Sequence, residues 1–396
     1  MTSVHATLKP GRERLLRQGH PWVFTGAVAS WSRTPKPGDT VDILSSQQEW
    51  IGRGLAGTGS NLAIRIYTHH PDQPLDAPFF THALHTAIAF RESVIIPHEP
   101  HTDSFRLCYS ESDHLSGLIV DQYADHAVLQ LHTSLLLPYV PTWLDLLHTR
   151  GLATTVLYDA PSFQREGIDP PPPSSSHPRP DPILIRENDL RFHVSLHNAQ
   201  KTGFYLDQRV NRRRVAAYAA GRHVLDAFSY TGAFSLACAR AGAASVTGID
   251  RSEPALDHAR VHAGLNPAPI EPIFLCADVG EQLRRYRDAR KTFGMIILDP
   301  PKFVHHQAQL EKGLRAYKDI NRLALALLEP GGFLATFSCS GWVKTDTFQT
   351  AVQWAAQDAG RPATLLERLG QPPDHPIPLA FPESDYLCGL ILRATP

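Results

Sequence analysis

Hydrophobic residues near the start of the chain fall in short β-prone runs, which predicts a small β-barrel over residues 1–75. The clearest runs are Trp22–Phe24, Thr40–Leu44 and Leu62–Tyr67. Gly and Pro residues separate these runs, as is usual for the turns between short strands. The proline-containing break Pro71–Pro74 ends the segment.

Residues 76–182 mix helical spacing with strand-like runs, which predicts a small α/β middle domain. The predicted elements are helices near residues 79–94 and 139–148 and strands near residues 118–120, 127–131 and 155–158. The domain ends in the low-complexity stretch Asp169–Ser176. This stretch is too rich in Pro and Ser to pack, so we expect an exposed, disordered loop there.

From residue 183 to residue 396, strand-like runs alternate with helical stretches. The predicted strands are residues 223–226, 244–250, 273–276, 295–299 and 332–337. This alternation is typical of a doubly wound, Rossmann-like α/β sheet, in which ligands bind at the carboxyl ends of the strands. The residues with useful chemistry at those ends are Asp226, Asp250, Asp278, Asp299 and Cys339.

Composition is that of a globular protein, with 42% hydrophobic and 19% charged residues. No apolar run is long enough to span a bilayer and the N-terminus does not resemble a signal peptide, so we expect a cytoplasmic protein without membrane contact. The five cysteines are scattered and include no CxxC pair, which favours small buried residues over a metal site or disulfides.

The formal net charge of -1 argues against a protein that coats nucleic acid broadly, but basic residues do cluster locally. These clusters are Arg12, Arg14 and Arg17; Arg209, Arg212, Arg213 and Arg214; and Arg284, Arg285, Arg287, Arg290 and Lys291. Each cluster is equally compatible with a solvated helix face and with an RNA contact.

The loop after the first strand of the last domain predicts a cofactor site. Gly232 is its only glycine, so the loop lacks the GxGxxG pattern that cradles a pyrophosphate, which argues against a nicotinamide enzyme. It suits a cofactor with an amino-acid tail and no phosphate, although helix–strand packing also explains Gly232. Asp250 is placed to accept hydrogen bonds from two ribose hydroxyls, since Ser252 fits the alternative role of helix N-cap better. Asp278 is a candidate for the adenine edge or for a helix cap.

Two further segments indicate chemistry on a base. In Asp299–Phe303 (Asp-Pro-Pro-Lys-Phe), two prolines stiffen the chain directly after a strand, which suits a rim that grips a flipped-out base. Cys339 follows another strand and lies between two serines, which favours a nucleophile over a packed small residue. Cytosine C5 becomes nucleophilic only after addition at C6, and a thiolate suits that addition.

Together these segments resemble the bacterial ribosomal RNA large subunit methyltransferase I family, class I enzymes that make 5-methylcytidine. The resemblance covers nearly the whole chain. It is carried by His20–Val28, Lys201–Arg209, Phe228–Gly232, Asp299–Phe303, Phe337–Gly341, Asp374–Pro376 and Tyr386-Leu387. It implies an N-terminal PUA domain that binds RNA and a C-terminal methyltransferase domain that uses S-adenosylmethionine.

The resemblance also implies roles for particular residues. Cys339 would be the nucleophile, and Asp299 would help to hold the target cytosine. The cofactor site would be lined by Asp226, Phe228, Gly232, Asp250, Asp278 and Gln208. The RNA would be contacted by Pro300, Pro301, Lys302, Phe303 and Arg209.

The middle domain departs from the family pattern. Ser110 and His114 stand where the family usually has Gly, and Ser116 stands where it has Pro. Lost glycines can change a turn, so the departure bears on RNA recognition more than on chemistry. We expect large-subunit ribosomal RNA, free or in a precursor particle, as the partner, and a homodimer as a further possibility. Three alternatives stay open: methylation of another base atom such as guanine N7, a non-catalytic RNA-binding assembly factor, and a nicotinamide oxidoreductase.

Overall fold

The computed structural model describes residues 3–57, 59, 61–175, 181–196 and 203–395. The chain divides into two compact units. Unit 1 comprises residues 1–185, 194–206 and 373–384, and unit 2 comprises residues 186–193, 207–372 and 385–396. The sheets of five to seven strands and the apolar cores each lie within one unit.

The strands of the described residues are β1 Val4–Leu8, β2 Trp22–Phe24, β3 Val28–Trp31, β4 Thr40–Leu44, β5 Trp50–Ala56, β6 Leu62–Thr68, β7 Ser104–Tyr109, β8 Leu118–Tyr123, β9 His126–Leu131, β10 Ala153–Tyr158, β11 Ser174–Ser175, β12 Ile183–Glu187, β13 Leu190–Val194, β14 His223–Ala227, β15 Ser245–Asp250, β16 Ile273–Cys276, β17 Phe293–Leu298, β18 Leu328–Ser338, β19 Ala363–Leu369 and β20 Cys388–Ala394. The α-helices are α1 Arg14–Arg17, α2 Ala77–Phe90, α3 Val140–His148, α4 Ala160–Arg165, α5 Arg209–Ala216, α6 Ala233–Arg240, α7 Glu253–Leu265, α8 Val279–Asp288, α9 Leu310–Leu327 and α10 Thr345–Asp358.

The N-terminal part of unit 1 is a six-stranded sheet in the order β2-β6-β5-β4-β1-β3. Its core is an apolar cluster to which alternate residues of β1 contribute, because successive side chains of a strand point to opposite faces. The three strands expected from apolar runs are confirmed. Three more, β1, β3 and β5, complete the sheet.

A second sheet in unit 1 has the order β11-β10-β9-β8-β7, and α2 and α3 belong to the same apolar core. The indole N–H of Trp143 in α3 donates to the carbonyl of Phe80 in α2 at 3.0 Å, so the buried polar atom of the largest core side chain is satisfied. The mixed α/β character expected for residues 76–182 is therefore present.

The turn after β7 keeps a left-handed backbone at both positions where the family usually has glycine. Ser110 has φ +48° and His114 has φ +58°. The Ser110 hydroxyl accepts a hydrogen bond from the N–H of Gly117 at 2.7 Å, whereas the His114 side chain is exposed. Side chains other than glycine are strained in this region, so the turn is preserved at a cost in stability.

The Pro/Ser-rich stretch departs from the expected disordered loop at one point. Ser174–Ser175 form the short strand β11, which pairs antiparallel with β10. The Ser175 hydroxyl donates to the carbonyl of Thr154 at 3.2 Å. Most of the stretch is exposed, as expected, and Ser176 lies outside the described residues.

The main sheet of unit 2 has the order β16-β15-β14-β17-β18-β20-β19. Five adjacent strands, β16 to β18 in that order, are parallel, and β20 pairs antiparallel with both β18 and β19. The chain leaves β14 first toward β15 and β16 and later toward β17 and β18. The crossover direction therefore reverses between β14 and β17, and doubly wound sheets bind ligands at that point.

The residues from 373 to 384 belong to unit 1, although they lie late in the sequence. The Asp374 carboxylate accepts from the backbone N–H of Arg106 at 2.9 Å, and the Asp374 carbonyl accepts from the buried Arg91 guanidinium at 2.9 Å. These hydrogen bonds give Asp374–Pro376, one of the segments that carry the family resemblance, a structural role.

Candidate functional site

The loop between β14 and α6 is held in an unusual backbone conformation. Phe228 has φ +67°, Tyr230 has φ +48° and Gly232 has φ +80°. For Phe and Tyr this conformation costs on the order of 1–2 kcal/mol each, and strain of this kind concentrates at ligand sites. The loop lies at the reversal point of the sheet, where a cofactor is expected.

Gly232 is required by conformation and by packing together. A Cβ on this residue would lie 2.9 Å from the ring of Phe274 and 3.0 Å from the Cβ of Ala259. Gly232 is also the N-cap of α6. The packing explanation for this glycine therefore applies, and its left-handed φ shapes the loop as well.

Asp250 ends β15 and organises the neighbouring loops. One carboxylate oxygen accepts from the N–H of Tyr230 at 3.0 Å and the other accepts from the N–H of Ser252 at 2.9 Å. Ser252 is the N-cap of α7, as expected, because its side chain accepts from Ala255. Each carboxylate oxygen has a second acceptor position, so both remain able to accept from a hydroxyl pair.

Asp226 is buried near the end of β14. One oxygen accepts from the Ser235 hydroxyl at 2.6 Å. Burial, with a smaller contribution from the charge of Asp250, raises the pKa of Asp226 to about 6. Its other oxygen, Oδ1, has no hydrogen-bond partner among the described residues, and neither has the buried Ser229 hydroxyl. Two unsatisfied polar atoms beside the strained loop fit a ligand with hydrogen-bond donors, such as an amino-acid end.

Asp278 is the N-cap of α8, where its side chain accepts from the N–H of Glu281 at 3.0 Å. Its side chain is exposed. The capping role expected as one alternative is therefore present, and it leaves the second carboxylate oxygen available for a further bond.

Asp299 directly follows β17 and is oriented by Gln208, the N-cap residue of α5. The side-chain amide of Gln208 donates to the Asp299 carboxylate at 3.1 Å. The Asn211 amide in turn donates to the Gln208 carbonyl oxygen at 2.7 Å and to the carbonyl of Gly370 at 3.0 Å. The structure therefore brings Gln208, expected at the cofactor, into contact with Asp299. Sequence reasoning missed Asn211, although its spacing of three residues from Gln208 on a helix was a signal.

Arg209 is fully buried in α5, which removes it from the residues able to reach RNA from the surface. Arg212 of the same cluster is also buried, and its guanidinium forms a two-point ion pair with Glu187 at 2.6 Å. The third cluster lies on or just after α8, where three of its arginines pair with acids: Arg284 with Asp319, Arg285 with Glu281 and Arg287 with Asp288. These contacts favour the solvated-face interpretation for that cluster.

Cys339 directly follows β18 and is half-buried. Its sulfur lies 3.9 Å from the carbonyl oxygen of Pro300, so it is next to the segment Asp299–Phe303. The two segments that indicated base chemistry therefore meet, although they are far apart in the sequence.

The other four cysteines have different surroundings. Cys108, Cys238 and Cys388 are buried, and burial raises the pKa of each thiol. Cys276 is exposed, contrary to the expectation of a buried residue, because β16 is the edge strand of its sheet. A hydrogen bond with Glu253 raises the pKa of the Cys276 thiol.

The remaining residues of the segment Asp299–Phe303 present different faces. Pro301 and Lys302 are exposed, whereas Pro300 is buried. Phe303 is half-buried, and its ring packs on Tyr317 with the ring centroids 4.7 Å apart. Lys201 and Thr202, which begin the segment that resembles the family's lead into the catalytic domain, lie outside the described residues.

Among the described residues, no helix has the length and apolar character needed to cross a membrane.

Family models match both ends of the chain. A model described as S-adenosylmethionine-dependent methyltransferase matches residues 177–390, and one described as PUA-like domain matches residues 6–69.

Curated proteins and solved structures agree with these matches. The chain is 42% identical to a ribosomal RNA large subunit methyltransferase I from Shewanella denitrificans, over 99% of each chain. It superposes on a Streptococcus mutans protein assigned as a SAM-dependent methyltransferase with a TM-score of 0.83 and 20% identity, over 98% of this chain and 99% of the other. It also superposes on a structure described as a methyltransferase complexed with SAH, with a TM-score of 0.84 and 20% identity, over 98% of this chain and 99% of the other. At this identity the two structures support the fold.

Proposed function

Because the chain belongs to the ribosomal RNA large subunit methyltransferase I family and its cofactor is S-adenosylmethionine, we propose that it methylates C5 of a cytidine in large-subunit ribosomal RNA. We further propose that Cys339 forms a transient covalent bond to the target base. The observation that carries the proposal is the position of Cys339, half-buried and 3.9 Å from the Pro300 carbonyl of the segment proposed to grip the base.

The cofactor would be held along the carboxyl ends of β14 to β16. Asp250 has free acceptor positions for the two ribose hydroxyls. The unsatisfied Oδ1 of Asp226 suits the cofactor's ammonium group, and Asp278 suits the adenine edge. The strained loop from Phe228 to Gly232 would contact the rest of the cofactor. When bound, the cofactor supplies a methyl group that is already activated on a sulfonium.

The proposed reaction on the base consists of an addition, a methyl transfer and an elimination. The Cys339 thiolate adds to C6 of cytosine, which breaks the C5–C6 double bond and makes C5 nucleophilic. C5 would form the new bond to the methyl carbon as the bond from that carbon to the cofactor's sulfonium sulfur breaks, and the sulfur would keep the electron pair and leave as a neutral thioether. A base then removes the C5 proton, the electron pair restores the C5–C6 double bond, and the thiolate leaves.

Asp299 would orient the cytosine by accepting from its amino group, and Gln208 keeps that carboxylate in place. The buried Pro300 and exposed Pro301 hold the backbone rigid, since proline fixes φ. The exposed Lys302 would contact the RNA backbone, and Phe303 would form the apolar wall of the base pocket. Positioning of this kind supplies much of the acceleration when the methyl donor is already activated.

RNA affinity would come in part from the PUA-like segment at the N-terminus. Arg12, Arg14 and Arg17 are exposed there. We place the reaction in the cytoplasm, since ribosomal RNA is the proposed substrate.

The proposal is tested by digesting methylated RNA to nucleosides and identifying the product by mass spectrometry. The expected product is 5-methylcytidine from the unsubstituted enzyme and from Cys388→Ala, and none from Cys339→Ala. Production of N7-methylguanosine, or full activity of Cys339→Ala, would contradict the covalent mechanism. A folded enzyme that binds RNA but methylates nothing would favour the assembly-factor alternative.

A further inference from the structure

Cys339 lies between two fully buried serines whose hydroxyl groups have defined partners. The Ser338 hydroxyl donates to the phenol oxygen of Tyr317 in α9 at 3.0 Å. The Ser340 hydroxyl donates to the carbonyl oxygen of Val304 at 2.5 Å. The serines on both sides of the candidate nucleophile are therefore hydrogen-bonded to residues in other segments of the chain.

Tyr317 also contacts the segment that carries Asp299. Its ring packs on the Phe303 ring, with the ring centroids 4.7 Å apart. One tyrosine side chain thus contacts both the end of β18, through its hydroxyl, and the segment after β17, through its ring. The Ser340–Val304 bond joins the same two segments a second time.

Packing alone does not account for the hydroxyl of Tyr317. The side chain is fully buried in an apolar cluster, where it also packs on Phe348. Burial raises its pKa to about 12, so the phenol stays neutral. A buried hydroxyl is unfavourable unless it is hydrogen-bonded, and phenylalanine would fill the same space without that requirement.

We propose that Tyr317 is a positioning residue of the methyltransferase: through Ser338 and Phe303 it fixes the Cys339 loop relative to the segment that holds the target cytosine. This inference rests on the proposed covalent role of Cys339. Attack on C6 requires the sulfur and the base to be held in near-attack geometry, and a misplacement of about 1 Å can cost on the order of a hundredfold in rate.

The cofactor site should not depend on this connection. Its proposed residues lie on β14 and β15 and in the loops that follow β14, β15 and β16, whereas Tyr317 lies on α9. Loss of the phenol should therefore slow the step at Cys339 and leave cofactor affinity unchanged.

The test compares Tyr317→Phe with Tyr286→Phe, since Tyr286 is a half-buried tyrosine packed against the same apolar cluster. Each full-length variant is mixed with substrate RNA that contains 5-fluorocytidine, and the single-turnover rate of protein–RNA adduct formation is measured. S-adenosylmethionine affinity is measured by calorimetry, and kcat and KM are measured on unmodified RNA.

We expect Tyr317→Phe to lower the adduct rate and kcat at least about tenfold, with KM and cofactor affinity within about twofold of the original values. Tyr286→Phe should leave all four values unchanged. Adding Ser338→Ala to Tyr317→Phe should cause little further loss, because both substitutions remove the same hydrogen bond.

An unchanged adduct rate in Tyr317→Phe would overturn this inference alone, as would equal losses in adduct rate and cofactor affinity. If the unsubstituted enzyme methylated its RNA without ever forming an adduct, the proposed function would fail, and the inference would fail with it.

Discussion

Substitution of Asp226 by Asn should increase the free energy of unfolding, and the increase should be larger at higher pH. The carboxyl is buried, and its pKa is raised from 3.8 to about 6, chiefly by burial. An acid with a raised pKa contributes its full stability below the unfolded pKa and loses it as pH rises through the folded value. The uncharged Asn avoids that loss and can still accept the hydrogen bond from Ser235.

The size of the effect follows from the two pKa values. A rise from 3.8 to about 6 corresponds to about 3 kcal/mol once the group is fully ionised in both states. At pH 8 Asp226→Asn should therefore raise the free energy of unfolding by about 3 kcal/mol, and at pH 5 by about half as much. The same variant should bind S-adenosylmethionine more weakly, because the carboxylate proposed to receive the cofactor's ammonium group is gone.

The assay is urea unfolding of both proteins at pH 5 and pH 8, followed by tryptophan fluorescence. Asp278→Asn is the matched control, because Asp278 is an exposed N-cap and Asn caps a helix as well as Asp. It should change the free energy of unfolding little at either pH. A stability difference for Asp226→Asn that is the same at both pH values would refute the reasoning.

Three more outcomes are expected. Asp250→Ala should weaken S-adenosylmethionine binding at least about tenfold in calorimetry, because charge-assisted bonds to ribose hydroxyls are worth about 1.5–3 kcal/mol each; unchanged affinity in a folded variant would exclude the ribose role. His114→Gly should raise the free energy of unfolding by about 0.5–1 kcal/mol, because it relieves a left-handed backbone under an exposed side chain. Ser110→Gly should not raise the free energy of unfolding, because it removes the hydrogen bond that the Ser110 hydroxyl accepts from the Gly117 N–H. Equal gains in stability from the two substitutions would contradict this account of the turn. Arg12→Gln with Arg14→Gln should reduce the slope of log affinity for RNA against log salt by up to about 2, and an unchanged slope would exclude these residues from phosphate contact.

Strands marked by apolar runs could be predicted from the sequence, and those with mixed composition were missed. The central strands β14, β15 and β17 are bounded by turns, and each has an acidic residue at or next to its carboxyl end, so their order and candidate chemistry could be predicted. β19 alternates half-buried and exposed residues and contains two charged side chains, so no apolar run marks it. β1 was also missed, although the alternation of Val4, Ala6 and Leu8 was a usable signal.

Single residues of the candidate site could be predicted from the sequence, but the contacts between them could not. Asp299 and Cys339 could be singled out because each follows a strand at the ligand-binding edge of the sheet. The bond from Gln208 to Asp299 joins residues 91 positions apart, and only tertiary packing creates it. The burial of Arg209 has the same origin, since a basic residue in a helix pattern gives no sign of which face packs inward.

The most direct test of the covalent mechanism is to locate the bond between protein and RNA. The enzyme is incubated with S-adenosylmethionine and RNA containing 5-fluorocytidine, in which fluorine replaces the C5 hydrogen so that no proton can be removed and release is blocked. The adduct is then digested with protease and nuclease and analysed by tandem mass spectrometry. We expect the methylated fluoropyrimidine on the peptide that contains Cys339, and no adduct from Cys339→Ala. An adduct on the exposed Cys276, or active methylation without any adduct, would contradict the assignment of Cys339 as the nucleophile.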